Sequence, residues 1–434
     1  MATIRSFDGT QEIEGEVLRP DRFRQLFSDL GRPDVIARGA GLNYCIAGGV
    51  ANGRTVLSTA FNRFIAFDRE RSTVRAEAGV TMGQLFEFAI ARGLLPPILP
   101  GHPWISVGGA LAMNIHGKNQ HRFGNFGDHV LRLSLYHPQH KEIVCSPTEN
   151  AEVFWLTVGG FGLSGFLLSV DIALKPLPGK SMIVERHEVG NLAEAAALME
   201  TLSETADYLY SWHDLNVKGS NFGRGIIYAE RFSSIPGRTY VSRTSTAVFK
   251  PFPWTMLNSV TLPLMCRLYR YKEAFSGQQE TEDLYSGSFP IVGKETYFRL
   301  FGPQGFREYQ LLVPSGAWPD FAERLASAIQ ISRLPIALAS LKLFRGERRF
   351  LNFTGNGISL ALDVPNTESS AYFFTKLDEI TVNAGGIAYI AKDSRLSAET
   401  IRAMYSGYHS FRAALREYDP ARHFQSELSR RLDL

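Results

Sequence analysis

Arg38-Gly39-Ala40-Gly41-Leu42-Asn43-Tyr44, with Gly48-Gly49 just behind it, is a short run of backbone unusually free of side chains. A second cluster, Pro100-Gly101-His102-Pro103-Trp104-Ile105-Ser106-Val107-Gly108-Gly109-Ala110, leads through Asn114 into His116-Gly117-Lys118-Asn119. A third reads Gly159-Gly160-Phe161-Gly162-Leu163-Ser164-Gly165, so all three fall within the first 165 residues. Glycine lets backbone approach a ligand closely, and N–H groups bared in this way hydrogen-bond phosphate oxygens without a Walker lysine. The whole chain carries 39 Gly and is 12% aromatic, and aromatic side chains wall a large, flat ligand.

At 434 residues the chain is long for one domain, and two or three are expected. Hydrophobic residues at 44% and charged residues at 21% exclude extensive disorder. The net charge of +3 gives no support to a general nucleic-acid binder. Cys45, Cys145 and Cys266 are scattered without CxxC or Cys/His spacing, which excludes a disulfide framework and leaves no metal site to propose. Residues 1–16 hold no apolar signal core, and no stretch approaches the roughly 20 apolar residues of a membrane span. A protein of the cytoplasm, or one peripheral to a membrane, is expected.

Outward from the glycines the pattern alternates. Residues 73–79 have period-2 alternation and read as a strand. Thr81 reads as the N-cap of a helix over 82–92, with Gly93 as its stop. Residues 166–174 form a further expected strand, and the Pro/Gly punctuation over 175–179 marks a boundary. Beyond it the glycines thin out. Helices are expected over 192–202 and 318–331, and strands over 306–313 and 357–364, the mix of an α+β domain. Residues 387–393 read as a short strand into a loop. A helix from Ser397 follows, with Ile401, Met404, Tyr405 and Tyr408 on one face.

Gly160-Phe161-Gly162-Leu163-Ser164-Gly165 matches GxGxxG letter for letter. The dinucleotide reading needs a strand before this motif and a helix after it. Here a helix starts near 150 and a strand follows Gly165, so a Rossmann unit is rejected. Gly160, Gly162 and Gly165 remain candidates for a loop that lets a cofactor lie on bare backbone, against the plainer reading of a tight turn.

The three clusters, in this order, resemble the flavin domain of the vanillyl-alcohol oxidase superfamily. Within it, Ile115-His116-Gly117-Lys118-Asn119, Glu308-Tyr309-Gln310, Leu341-Lys342-Leu343-Phe344 and Tyr389-Ile390-Ala391-Lys392-Asp393-Ser394-Arg395 resemble the decaprenylphosphoryl-β-D-ribose 2-oxidase family over nearly the whole chain. Two places depart from that pattern. Asn43-Tyr44-Cys45-Ile46 stands where Ser-Tyr-Gly-Asp is expected, and Ser359-Leu360-Ala361 where Asn-x-Cys is expected.

The resemblance implies a two-domain α+β flavoprotein with a PCMH-type FAD-binding domain and an antiparallel-sheet substrate domain. The corresponding division is 1–180 for FAD, 181–386 for substrate, and 387–434 returning to the FAD domain. It implies FAD held by Arg38, Gly39, Ala40, Gly41, Leu42, Asn43 and Tyr44, then by Gly101, Ser106, Val107, Gly108, Gly109, Asn114, His116 and Gly117. Gly160, Gly162, Gly165 and Tyr389 complete that set. The attachment usual in the superfamily lies in the first glycine loop, where this chain has no histidine, so non-covalent FAD is expected.

Oxidising a secondary alcohol with flavin requires a hydride to leave carbon and an acceptor for the hydroxyl proton. Lys392 is expected at the reacting hydroxyl, either as a base, if its environment lowers its pKa, or as a cationic donor fixing the oxygen. His116 brings imidazole close to a ring system, and Lys118 offers charge to a phosphate or sugar oxygen. Tyr44, Gln310 and Lys342 complete the expected pocket, with Gln310 pointing inward if Tyr309 points out.

The stretch 249–272 combines aromatic and apolar residues with four basic side chains and no acidic one. It suits a lid against an anionic membrane surface, or an ordinary insertion packed on its own domain. The leading expectation is oxidation of the C2 hydroxyl of a polyprenyl-phosphoryl-β-D-ribose to the 2-keto sugar, with an NAD(P)H-dependent short-chain reductase as partner. The alternatives are an FAD oxidase of a soluble sugar, alditol or aldonolactone, and a non-catalytic flavin-fold binding subunit.

Overall fold

The computed structural model describes residues 1–235 and 251–434. Its first sheet runs Ala2–Arg5, Glu12–Leu18, Arg54–Leu57, Val35–Arg38, with the last three strands parallel. A second, antiparallel sheet runs Phe64–Asp68, Thr73–Glu77, Phe166–Ala173, Val130–His137, Lys141–Cys145. Between these strands lies the helix Met82–Ile90, whose Thr81 and Gln84 form a reciprocal capping box. It buries Met82, Leu85, Phe86 and Ala89 at three- and four-residue spacing and stops before Gly93, whose φ is +71°. Burying Leu85 and Phe86 contributes roughly 2–3 kcal/mol each.

Two four-stranded antiparallel sheets make up most of the middle of the chain. One runs Tyr208–His213, Gly225–Ser233, Ser181–Val189, Gln279–Asp283. The other runs Leu338–Phe344, Gly357–Pro365, Phe306–Pro314, Ile387–Ala388. Their edges meet where the Leu341 N–H donates to Ser211 Oγ at 3.0 Å. Alternation in Phe306–Pro314 sends Tyr309 under the helix Glu368–Asn383, where its hydroxyl donates to Asp378 Oδ1 at 2.7 Å, and leaves Gln310 on the other face. Tyr309 therefore points away from the site into a second core layer, not to solvent.

The ends of the chain lock together. The Gln425 N–H donates to Val35 O, Glu427 N–H to Gly49 O and Leu428 N–H to Ile46 O. The expected GxGxxG context is reversed as anticipated, with the helix Ala151–Thr157 before it and the strand Phe166–Ala173 after it. The final helix differs from expectation: Ala398–Met404 ends there, and Tyr408–Tyr418 begins anew beyond Gly407. All four apolar residues of that face are buried nonetheless, Tyr405 through its hydroxyl to Ala388 O. The strand before Lys392 is also shorter than expected. It covers Ile387–Ala388, and Tyr389 opens a 3₁₀ turn, Ile390–Lys392.

Candidate active site

A cavity of about 990 Å³ lies between the glycine loops and the two middle sheets. The strand Val35–Arg38 runs directly into the loop 39–44, all of whose residues line the cavity. A Cβ on Gly39 would collide with Ser106 Oγ, and Gly41 has φ +72°. Both positions therefore require the absence of a side chain. Among the described residues, no acceptor takes the backbone N–H groups of Ala40, Gly41, Leu42 and Asn43. Arg38 turns back and ties the loop, donating to Gly48 O at 3.2 Å and Arg5 O at 3.1 Å. Cys45 anchors its far end, its buried thiol 3.6 Å from the carbonyls of Ile390 and Ala391.

Gly101, Ser106, Gly108, Gly109, His116, Gly117, Gly162, Gly165 and Tyr389 also line the cavity. Val107, Asn114 and Gly160 do not. Val107 is fully buried, its N–H bonded to Val80 O at 2.7 Å. Asn114 uses its side-chain oxygen to accept the Gly127 N–H at 2.8 Å, and Gly160 fits closely under Leu156 O at the end of its helix. These three are engaged within the loops themselves.

The pleat of one sheet makes the polar wall. Residues of one parity face the cavity: Glu308 and Gln310 on the first strand, Ala361 and Asp363 on the second, Ser340 and Lys342 on the third. Gln310 Nε2 lies 3.1 Å from both His116 Nε2 and Ser359 Oγ. The amide donates, so His116 accepts at Nε2 and carries its proton on Nδ1. Burial, then the charges of Lys342 and Lys392, hold that imidazole neutral, well below its ordinary pKa. His116 Nδ1 and Gln310 Oε1 are buried without a partner among the described residues. Phe344, Phe353 and Tyr389 enclose the ring.

Lys392 projects from its 3₁₀ turn to an ion pair with Glu308, its ammonium 5.3 Å from the Tyr44 ring centroid. Burial pushes the Tyr44 phenol well above its ordinary value, with the charge of Glu308 adding to it. Lys342 sits across the register from Ser359. Burial, with Lys392 nearby, pulls its pKa down to about 7. Lys118 lines the cavity too, but its charge is already matched. Its Nζ lies 2.7 Å from Glu230 Oε1 and 2.7 Å from Gly287 O, and 4.4 Å above the Tyr210 ring.

Away from the glycines the cavity becomes aromatic, between Tyr210, Trp212 and Tyr228 of the other sheet and the helix Thr261–Phe275. That helix turns Leu262, Cys266 and Glu273 inward. Outward it exposes Leu264, Leu268, Tyr271 and Phe275, a stripe continued by Val260 and by Trp254 at 65% exposure. Phe249 and Lys250, the first two residues of the basic aromatic stretch, lie outside the described residues. Among the described residues no helix is long and apolar enough to cross a membrane.

The sequence by itself assigns no role to Glu308, Asp363 or Tyr297. The first two were within reach, because Glu308 shares parity with Gln310, and Asp363 with Ala361. Tyr297 was not, since it sits on a four-residue helix, Thr296–Arg299, too short to show a period.

The bare N–H groups of 40–43 suit a pyrophosphate, and the orphaned His116 Nδ1 and Gln310 Oε1 suit the polar edge of a flavin ring, so these residues fit FAD. Residues 26–146 match the FAD binding domain family. The chain is 31% identical to decaprenylphosphoryl-β-D-ribose oxidase of Mycolicibacterium smegmatis, over 93% of this chain and 90% of that protein. It is 26% identical to an uncharacterized protein of Streptomyces coelicolor, over 82% of this chain and 100% of that one. The human Δ24-sterol reductase is 25% identical over 37% of this chain and 29% of its own. The protein is an FAD-dependent oxidoreductase. Glycine loops, antiparallel sheets and near-complete coverage place the chain in the decaprenylphosphoryl-β-D-ribose oxidase family.

Proposed function

We propose that this protein oxidises the C2 hydroxyl of a polyprenyl-phosphoryl-β-D-ribose to the 2-keto sugar, the first half of an epimerisation. The observation that carries the reading is the cavity's composition along its length. A glycine cradle at one end meets a wall of Lys392, Glu308, Gln310 and Lys342, and beyond it an aromatic channel runs under the helix Thr261–Phe275. A sugar needs the polar wall, and a prenyl chain needs the channel. The name of the Mycolicibacterium relative supports the same substrate.

FAD, when bound, supplies the acceptor for the hydride leaving carbon. Lys392, paired with Glu308, donates to the reacting oxygen as an ammonium. Of the two roles open to it from the sequence, the ion pair supports the cationic donor. Gln310, locked by His116 and Ser359, keeps its carbonyl oxygen free in the cavity wall, where it would accept a hydrogen bond from bound FAD. The residues 1–180 with 387–434 serve the cofactor and 181–386 the substrate, except that Ile387–Ala388 is hydrogen-bonded into the substrate sheet. The 2-keto product calls for a separate NAD(P)H-dependent short-chain reductase.

The exposed apolar stripe of the helix Thr261–Phe275, with Arg267, Arg270 and Lys272 beside it, supports docking on an anionic lipid surface. The deciding experiment is an anaerobic absorbance titration. Bleaching by a prenyl-phosphoryl ribose, and not by free alditols or lactones, is expected; bleaching by the free sugars alone refutes the lipid-linked substrate. Leu264→Ser with Leu268→Ser is expected to lower pelleting with phosphatidylglycerol vesicles, and unchanged pelleting refutes the docking.

A further inference from the structure

Two carboxyl groups of the polar wall take up no proton in the scheme above. Glu308 and Asp363 stand directly opposite each other on adjacent antiparallel strands, both facing the cavity. Glu308 is 6% and Asp363 2% exposed. Cβ atoms of directly opposed strand residues stand about 5 Å apart, and two carboxylates so close in a desolvated wall do not both ionise. The groups around them decide which one keeps the charge. Lys392 is ion-paired with Glu308, while Asp363 receives the Tyr297 hydroxyl at 2.8 Å. Burial, the charge of Glu308 and a hydrogen bond between the two carboxyls push Asp363 well above the usual carboxylate range. The pair therefore holds one proton, on Asp363, and one negative charge, on Glu308.

A paired ammonium has no lone pair with which to accept a proton. Lys392 alone therefore cannot take the hydroxyl proton, whereas Lys392 in contact with an ionised carboxylate can pass one on. His116 is excluded because its acceptor nitrogen is occupied by Gln310. Protonating Lys342 would set a second ammonium against Lys392 in the same dry wall, the repulsion that already lowers its proton affinity.

We propose that Glu308, supported by Asp363, is the terminal acceptor of the proton released from the substrate hydroxyl, with Lys392 as the relay. The inference rests on the alcohol-oxidising reading above. As the carbinol C–H bond gives its hydrogen and electron pair to bound FAD, Lys392 passes an N–H proton to Glu308 and takes the hydroxyl proton in its place. The C–O bond becomes a carbonyl, Lys392 is an ammonium before and after, and the carboxyl pair goes from one proton to two. The titratable groups facing Glu308 are Lys392, Asp363, Tyr44, Tyr297, Lys342 and Tyr389.

The test uses the FAD-loaded enzyme and begins without turnover. The wild type is expected to show the infrared carbonyl band of a protonated carboxyl, lost in Asp363→Asn. Anaerobic reduction by a short prenyl-phosphoryl ribose is expected to add a second such band in the wild type and not in Glu308→Gln. Glu308→Gln is expected to retain FAD and bind the sugar while bleaching about 10²–10⁴-fold more slowly. Asp363→Leu removes a donor to the ionised Glu308, so the acid limb of the bleaching-rate profile is expected to move to higher pH. Absence of the first band, absence of the second in the wild type, or Glu308→Gln bleaching within about three-fold of wild type overturns the proposal. If the lipid-linked sugar fails to bleach the wild type and a free alditol succeeds, the substrate reading alone falls, and the same bands and rates are read with that alditol.

Discussion

Replacing Lys118 by Met is expected to destabilise the protein by an amount the structure lets us work out. The Lys118 ammonium meets Glu230 Oε1 and Gly287 O, each at 2.7 Å, in a pair whose side chains are 10% and 0% exposed. Glu230 Oε2 has no partner among the described residues, so the lysine is its carboxylate's main compensation. Leaving such a charge buried and unpaired costs about 3–5 kcal/mol. At an unfolding entropy of about 2.1 cal/mol/K per residue, 434 residues give roughly 0.9 kcal/mol/K if the chain melts as one unit. The midpoint in scanning calorimetry should fall by about 3–6 °C. Lys118→Met/Glu230→Leu, which removes both charges, should recover most of that loss, because apolar replacement of a buried pair is often neutral. A single variant melting within about 1 °C of wild type, or a double variant no more stable than the single one, refutes the strut. A lysine that grips substrate instead would raise KM and leave the midpoint in place.

Lys342→Met should stabilise the FAD-free protein more at pH 6 than at pH 9. The folded pKa of about 7 lies below the ordinary 10.5. The cost of burying the ammonium is therefore complete below pH 7 and fades as pH rises toward 10.5; equal shifts in urea midpoint at both pH values would contradict this. Gly39→Ala should lower FAD content at fixed cofactor concentration, since its Cβ displaces the Ser106 hydroxyl that caps the helix Val107–Ala112. Full flavin occupancy would show that the cradle tolerates a side chain. Thr81→Ala breaks an exposed capping box and should cost about 1 kcal/mol in urea unfolding with bleaching rates unchanged.

Local rules carried far in this chain where the signal was local. Thr81 as the N-cap of Met82–Ile90, the helix expected over 192–202 and the strand expected over 306–313 all correspond to elements that the structure contains. The helix after Ser397 shows the limit. Tyr405 and Tyr408 keep helical spacing with Ile401 and Met404, but the backbone turns extended at Tyr405 (φ −118°, ψ 104°), a break that the apolar period does not register. Long-range partnership is the larger gap. Glu230 lies 112 residues from Lys118, and nothing near either one announces the other. The carboxyl pair falls between these extremes. Its parity was readable on each strand, but its opposition depends on the register of two strands more than 40 residues apart.

Ile387–Ala388 completes the sheet built on Phe306–Pro314, and four residues later Lys392 stands beside Tyr44 of the glycine loop. Tyr389 is bonded both ways, its N–H to Gln310 O at 2.7 Å and its hydroxyl to Met113 O at 3.1 Å. The lysine thus belongs to a seam rather than to either half of the molecule. Anyone grafting a substrate unit from one relative onto the cofactor unit of another must decide which side of the seam to cut. A junction at 386 would part Tyr389 and Lys392 from the strand that aims them. A junction after Asp393 would keep them with Gln310 and Glu308, and would ask the new host to meet the Ile390 and Ala391 carbonyls as Cys45 does, the Tyr389 hydroxyl as Met113 does, the Ala388 carbonyl as Tyr405 does and the Asp393 carbonyl as Arg431 does.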